Sequence, residues 1–315
     1  MPVSSVAIRR AVIDVGTNSV KVLVGDISPD GEVTPVVETS EQTRLGRGFY
    51  ETHRLQPGPL AATAAAVERF AHMARKVGAT SLRMIATSAA RDAENRGELL
   101  ASLESAAGVR VEVISGDTEA DWAFAGVCSA PGLAHSRLLV LDVGGGSTEF
   151  ILGLHGRPNF RQSFQLGSVR LFEQLQPGDA PTAADLARAR SELAAFLRRE
   201  VTPALAPALE MDRPEQVFGV GGSTSILALI KAGVPVFDRE LVEQTRFARG
   251  ELSALVERLW SLPLAERRQL PGLPPERADV ILIGAAIYEA VLLVFGFPEL
   301  RVSTRGLRFA ALVQP

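Results

Sequence analysis

Short apolar runs alternate along this chain with longer stretches in which apolar residues return every three to four positions, the mark of strands mixed with amphipathic helices. Residues 7–40 hold three such runs, predicted as strands, joined by turns at Gly16-Thr17-Asn18-Ser19 and Pro29-Asp30-Gly31. An alanine-rich helix is expected over 59–77, stopped by Gly78. A strand at 82–87 should lead into a helix from 88 to 107, and a strand at 109–114 into a helix starting near Asp117. The second half repeats the theme. Strands flank a turn within 139–153, another lies near 160–166, and a long helix runs from 183 to 209 with Thr182 as its N-cap. A short strand then enters Gly219-Val220-Gly221-Gly222-Ser223-Thr224-Ser225 at the head of a further helix, and helices close the chain around 250–260 and 275–295. Such alternation defines an α/β protein.

The turn at 144–148 carries the most chemistry. An apolar run ends in Asp142, turns through Gly144, Gly145, Gly146, Ser147 and Thr148, and leaves through Glu149 as a second apolar run. Glycines let backbone N–H groups approach an anion closely, and hydroxyls add donors. A carboxylate beside a phosphate cradle suits a cation such as Mg²⁺ between them. One copy alone is equally well an ordinary hairpin. The chain has a second copy, in which Asp14, Val15, Gly16, Ser19 and Gly25 fall without a gap on Asp142, Val143, Gly144, Ser147 and Gly153. Internal duplication accounts for the agreement, giving two related halves that each present a phosphate-binding hairpin toward a cleft. Thr17, Asn18, Ser19 and Lys21 then join the glycines as candidate phosphate ligands, with Asp14 as a third candidate metal carboxylate.

Composition changes this picture little. At 315 residues two domains are expected, and 46% hydrophobic with 22% charged residues is ordinary for a globular core. A net charge of −3 offers no global attraction for nucleic acid, so phosphate binding must be local. The single cysteine, Cys128, allows no intrachain disulfide and is read as a small buried residue; the four histidines show no metal-ligand spacing. Two arginines near the start are followed by no apolar signal segment, so a cytoplasmic location is expected. The stretch 280–297 is apolar except for Glu289; a mid-segment carboxylate is costly in lipid, so it is assigned to a buried helix rather than a membrane span. Thr43-Arg44-Leu45-Gly46-Arg47-Gly48, taken alone, is a solvated basic turn. Arg91 should stand between a strand end and a helix start, a common anion site in α/β folds. The Gly221-Gly222-Ser223 turn also exposes N–H groups at a helix start, but no lysine follows at P-loop spacing.

Together these stretches resemble the actin, heat-shock chaperone and sugar-kinase superfamily of two-domain phosphate-binding proteins, and more narrowly the exopolyphosphatase/guanosine pentaphosphate phosphohydrolase (Ppx/GppA) family. The matching segments are IDVGTNSVKVLVG at 13–25, TRLGRG at 43–48, ATSAARDAEN at 86–95, ISGDTEA at 114–120, DVGGGSTE at 142–149 and GVGGST at 219–224, followed by 270–287 and 301–308. The resemblance implies two duplicated actin-like (ribonuclease H-like) domains, 1–125 and 126–315, with the last helix able to pack back on the first. It further implies Mg²⁺-assisted hydrolysis of the terminal phosphoanhydride of inorganic polyphosphate or guanosine pentaphosphate, the latter a stringent-response nucleotide. By position, Glu119 takes the place of the glutamate that activates water and Arg91 that of a phosphate-binding arginine. Asp142 and Glu149 match metal- and water-organising carboxylates. No membrane or nucleic-acid partner is expected, and a homodimer is.

The chain departs from the family pattern around Glu119, where Asp117, Thr118 and Asp121 replace further acids and an arginine. Asp121 in place of a cation bears on the strength of anion binding. Two readings from other classes compete. A superfamily phosphotransferase would need acceptor-binding insertions, and a non-catalytic polyphosphate or alarmone sensor could dispense with Glu119.

Overall fold

Strands and helices alternate in the computed structural model, which describes residues 7–314. The first half runs β1 (Ile8–Val15), β2 (Val20–Ile27), β3 (Val33–Glu41), α1 (Phe49–Thr52), α2 (Pro57–Lys76), β4 (Ser81–Ala86), α3 (Ser88–Asp92), α4 (Arg96–Ala107), β5 (Val111–Val113) and α5 (Gly116–Cys128). The second runs β6 (Leu138–Val143), β7 (Thr148–Leu154), β8 (Arg157–Phe164), α6 (Ser168–Leu175), α7 (Ala183–Phe196), α8 (Thr202–Met211), β9 (Gln216–Val220), α9 (Gly222–Ala232) and α10 (Arg239–Gln244). It continues through β10 (Arg246–Ala248), α11 (Arg249–Ser261), α12 (Leu264–Arg267), α13 (Ile281–Phe295), β11 (Glu299–Val302) and α14 (Leu307–Val313).

The first sheet has the order β3-β2-β1-β4-β5 and the second β10-β11-β9-β6-β7-β8. In both, an antiparallel three-strand meander is extended by strands parallel to its first member. The duplication expected from the hairpins therefore extends through both sheets, with β10 added as an edge strand.

Side-chain alternation assigns the helices to faces. Ala11, Ile13 and Val15 of β1 face α2 and α4, while Val12 packs with Leu23, Ile85 and, from α14, Leu307, Phe309 and Leu312. In the second sheet, Leu139 and Leu141 face α7, α9 and α13, and Leu138 and Val140 face Ala120, Ala123, Phe124 and Val127 of α5. Thus α5, early in the chain, covers the second sheet, and the terminal α14 covers the first. The division drawn at 125/126 falls inside α5. Gly126 of α5 meets the backbone of Arg305 and Gly306, the turn that leads into α14, too closely for any side chain.

Two helix expectations need correction. The helix expected over 88–107 is two, because Ala93 adopts an extended conformation and Asn95 uses its side chain to bind both backbone groups of Leu55. The helix expected to end near 209 passes through a π-helical turn at Leu197–Val201 before reaching Met211. Its start is as expected, with a capping box between Thr182 and Asp185. Cys128 is buried, and among the described residues no helix is long and apolar enough to cross a membrane.

The 280–297 stretch is indeed a core helix. Glu289 is 1% exposed and meets Arg190 at 2.6 and 3.0 Å. Removing the cation strands a buried carboxylate, so Arg190→Met should lower stability by about 1–3 kcal/mol, below the figure for fully buried pairs because Arg190 is partly solvated. Denaturant melts check this, and Glu289→Leu added to that variant should restore stability. An unchanged midpoint in Arg190→Met would mean that water satisfies Glu289.

Candidate functional site

Both glycine turns end their strand pairs in the same way. Gly16 N–H donates to Ser19 O at 3.0 Å, and Gly144 N–H to Ser147 O at 2.9 Å. What each turn does with its remaining peptides decides the chemistry. At the second turn the carbonyls of Gly144 and Gly145 accept from Ser168, Val169 and Arg170 N–H at 2.9–3.0 Å, and Gly146 O accepts from Arg170 Nε at 2.9 Å. A trans peptide points its N–H opposite to its C=O. Holding three successive carbonyls from behind therefore turns the N–H groups of Gly145, Gly146 and Ser147 toward the other side, where they make no hydrogen bond among the described residues. The N-terminus of α6 is the clamp.

The first turn is held in the same fashion by the loop before α1. Gly46 N–H donates to Thr17 O at 2.7 Å and Arg44 N–H to Asn18 O at 3.0 Å. The basic segment 43–48 is thus not a solvated turn. Thr43, Leu45 and Gly46 are buried against the hairpin, and Arg44 reaches across to Asp279 at 2.8 Å.

The two turns touch. A Cβ on Gly145 would stand 3.0 Å from Thr17 Cβ, and one on Gly146 would lie 2.5 Å from the Tyr50 hydroxyl and 2.6 Å from Ser88 Oγ. The cavity they enclose is lined by Asp14, Gly16, Thr17, Asn18, Ser19 and Lys21 from the first hairpin and by Asp142, Gly144, Gly145, Gly146 and Ser147 from the second. Glu119, Gly222 and Arg277 complete it. The third glycine turn closes one end: Gly221 has φ of +90°, and Asp142 Oδ1 occupies the space where its Cβ would go. Through Lys21, Asp142, Gly222 and Arg277 this cavity opens into a second of about 280 Å³ that is mostly apolar, bordered by Ile226, Leu229, Phe237 and Leu307.

Two expected phosphate ligands are not in the cradle. Thr148 is fully buried with its hydroxyl donating to Leu166 O, because it is already inside the β7 ladder. Ser223 turns its hydroxyl toward α13 and Arg277, since Gly284 leaves room for it there. The sequence reading in turn missed Arg277, whose guanidinium lies against Gly222. Arg277 is 6% exposed, its Nε has no hydrogen-bond partner, and burial pushes its pKa down to about 10. Its only signal was that it is the one cation of the matching segment 270–287. Asp121 does not line the cavity; it pairs with Arg161 of β8 at 3.3 Å, so its charge is balanced locally.

The carboxylates crowd one wall. Arg91 Nη1 meets Glu119 Oε2 at 2.7 Å and Ile114 O at 3.0 Å, so Arg91 faces the glutamate and is held by the strand end. Burial pushes the Glu119 carboxyl up to about 7; Arg91 opposes this, while Asp142 and Asp14 add to it. Asp142 is raised chiefly by burial, with Lys21 opposing. Glu149 is one layer back, 1% exposed, and accepts from Ser147 Oγ at 2.8 Å and Ser163 Oγ at 2.6 Å. Burial, then Glu119 and Asp142, hold it well above the usual carboxylate range. Among the described residues no three His, Cys, Asp or Glu side chains converge into a ready-made metal cage. The mutual repulsion nevertheless fits a cation such as Mg²⁺, which is commonly held by one or two carboxylates together with phosphate oxygens and water.

A duplicated α/β fold whose two glycine hairpins meet at one cavity defines a protein of the actin-like architecture. The model of the Ppx/GppA phosphatase family matches residues 23–314, and the chain belongs to that family. It is 32% identical over 289 residues to exopolyphosphatase 2 of Mycobacterium tuberculosis, covering 89% of each chain. It is 29% identical over 302 residues to exopolyphosphatase 1 of Mycobacterium bovis, covering 95% of this chain and 86% of that one. An exopolyphosphatase structure from Cytophaga hutchinsonii superposes with a TM-score of 0.85 at 27% identity, covering 96% of each chain. The Aquifex aeolicus family member gives 0.76 at 28%, covering 97% and 96%.

Proposed function

We propose that this protein hydrolyses the terminal phosphoanhydride of inorganic polyphosphate and releases orthophosphate. The observation that carries the reading is Glu119, a buried carboxylate held by Arg91 at 2.7 Å beside a cradle of unpaired backbone N–H groups. Phosphoryl transfer asks little covalent chemistry of a protein; it needs positioned charge and a group to orient the attacking water. The N–H groups of both hairpins would hold the non-bridging oxygens, with Lys21 and Arg277 adding positive charge. Glu119, with a pKa of about 7, is matched to accepting a proton from water near neutral pH. Arg91 fixes which Glu119 oxygen faces the cavity. Asp14 and Asp142, with Glu149 behind them, would hold Mg²⁺, which when bound supplies charge neutralisation for the phosphate oxygens. Inorganic polyphosphate is favoured because relatives matched along most of their length are exopolyphosphatases.

Guanosine pentaphosphate is a second substrate reading, favoured by the apolar 280 Å³ cavity, which adjoins the cradle and offers Phe237 at its border. Orthophosphate release from long-chain polyphosphate, guanosine pentaphosphate and ATP, each with Mg²⁺, tests both readings. No release from any of them would overturn hydrolysis. Release from guanosine pentaphosphate alone would make it the substrate.

The metal assignment has its own check. Asp142→Asn should shift the Mg²⁺ activation curve to higher concentration and reduce Mg²⁺ binding measured by calorimetry in the presence of tripolyphosphate, because a hard oxygen ligand loses its charge. Unchanged curves in both measurements would remove Asp142 from that role.

A further inference from the structure

One turn of α6 reaches both the second cradle and the loop that holds the first. At its start it clamps the second hairpin, and Arg170 extends that clamp to the Gly146 carbonyl. The same guanidinium stacks 4.2 Å from the centroid of the Tyr50 ring and stands 3.8 Å from Asp92 Oδ2, both residues of the first half. Arg170 is only 14% exposed, although Asp92 itself is solvent-facing. One helical turn on, Glu173 Oε1 accepts from Gly48 N–H at 2.9 Å. Gly48 ends the loop whose Gly46 and Arg44 N–H groups hold the first hairpin. A continuous set of hydrogen bonds therefore runs from Gly146 through Arg170, α6 and Glu173 to Gly48, and on to Thr17.

We propose that Arg170 and Glu173 are positioning residues that set the two phosphate cradles against each other, so that one chain of phosphates meets both sets of N–H groups in register. The inference rests on the phosphoanhydride reading for its kinetic consequence, though not for its structural one. Neither side chain lines the cavity between the hairpins. Each acts through a backbone group of the cradles or of the loop behind them. Charge is secondary for Glu173, because the bond to Gly48 needs only an oxygen acceptor. For Arg170 the planar fork is essential, since a lysine ammonium cannot both stack on Tyr50 and present an N–H to Gly146 O.

The test compares Arg170→Met, Arg170→Lys, Glu173→Ala and Glu173→Gln by kcat and KM on polyphosphate, by melting temperature, and by the amide shifts of Gly145, Gly146 and Ser147 on adding inorganic tripolyphosphate. Arg170→Met, Arg170→Lys and Glu173→Ala should lower kcat by roughly 10–100-fold with a smaller change in KM, the scale of a sub-ångström to ångström misplacement. Glu173→Gln should stay near the parent, and the tripolyphosphate-induced amide shifts should shrink in the Arg170 variants. Parent-like kcat and amide shifts in Arg170→Lys and Glu173→Ala would overturn the proposal. So would losses in Glu173→Gln equal to those in Glu173→Ala. If Arg170→Met does not fold, Arg170→Lys and the Glu173 pair decide. If the parent hydrolyses nothing, the phosphoanhydride reading fails, while the amide shifts still report whether Arg170 orders the cradle.

Discussion

Glu119→Gln should retain the fold and the affinity for tripolyphosphate while turning over roughly 10²–10⁴-fold more slowly, the usual weight of a general base. The amide keeps the shape of the side chain and one oxygen to meet Arg91 at the 2.7 Å contact, but it cannot accept a proton from water. The parent should also show an acid limb in kcat/KM. Burial raises the Glu119 carboxyl to about 7, and the base must be ionised to work, so activity rises with pH through that value and falls below it. Arg91 opposes the shift, so Arg91→Gln should move the limb to higher pH. Single-turnover phosphate release across pH 5–9 measures both effects. Near-normal turnover in Glu119→Gln at saturating Mg²⁺ would mean that another group activates the water.

The parts of the site that the sequence made legible are those whose function lies in residue type and order. A carboxylate, a glycine-rich turn and a return strand can be recognised without coordinates, and a second copy at a constant offset reveals the duplication. Glu119 was legible only through the family pattern, since alone it fits a helix terminus, whereas Arg91 was also marked by its place between a strand end and a helix start. What escaped depends on which backbone group meets which. The segments 43–48 and 167–170 look like ordinary loops, yet they hold the carbonyls that turn the cradle N–H groups outward. Thr148 and Ser223 look like ligands by type, but register and a nearby glycine decide that their hydroxyls point into the core. Nor does the alternation of strand and helix say which sheet a helix covers. That α5 lies on the second sheet follows from the match of Ala120, Phe124 and Val127 to Leu138 and Val140, a matter of three-dimensional fit.

Gly146→Ala should cost on the order of 10²-fold in kcat with little loss of stability, making it the second large effect. The φ of Gly146 is not in the left-handed region, so alanine can adopt the backbone conformation; the obstacle is space. Its methyl would lie 2.5 Å from the Tyr50 hydroxyl, 2.6 Å from Ser88 Oγ and 3.1 Å from Thr17 Oγ1. Ordinary contact needs about 3.4 Å or more, so the Tyr50 and Ser88 side chains of the first half and the second hairpin must move apart by close to an ångström, and misplacement on that scale is worth roughly 10²-fold in rate. The damage falls on alignment because the strands themselves stay paired. Gly97→Ala in α4, where nothing lies within 4 Å, is the control and should be neutral or stabilising by about 0.4–1 kcal/mol. Tyr50→Phe and Ser88→Ala remove the two nearest oxygens. Combined with Gly146→Ala, they should recover much of the lost rate if this crowding is the cause. Parent-like turnover in Gly146→Ala alone would show that the cradles do not meet as closely during reaction as they do in this structure.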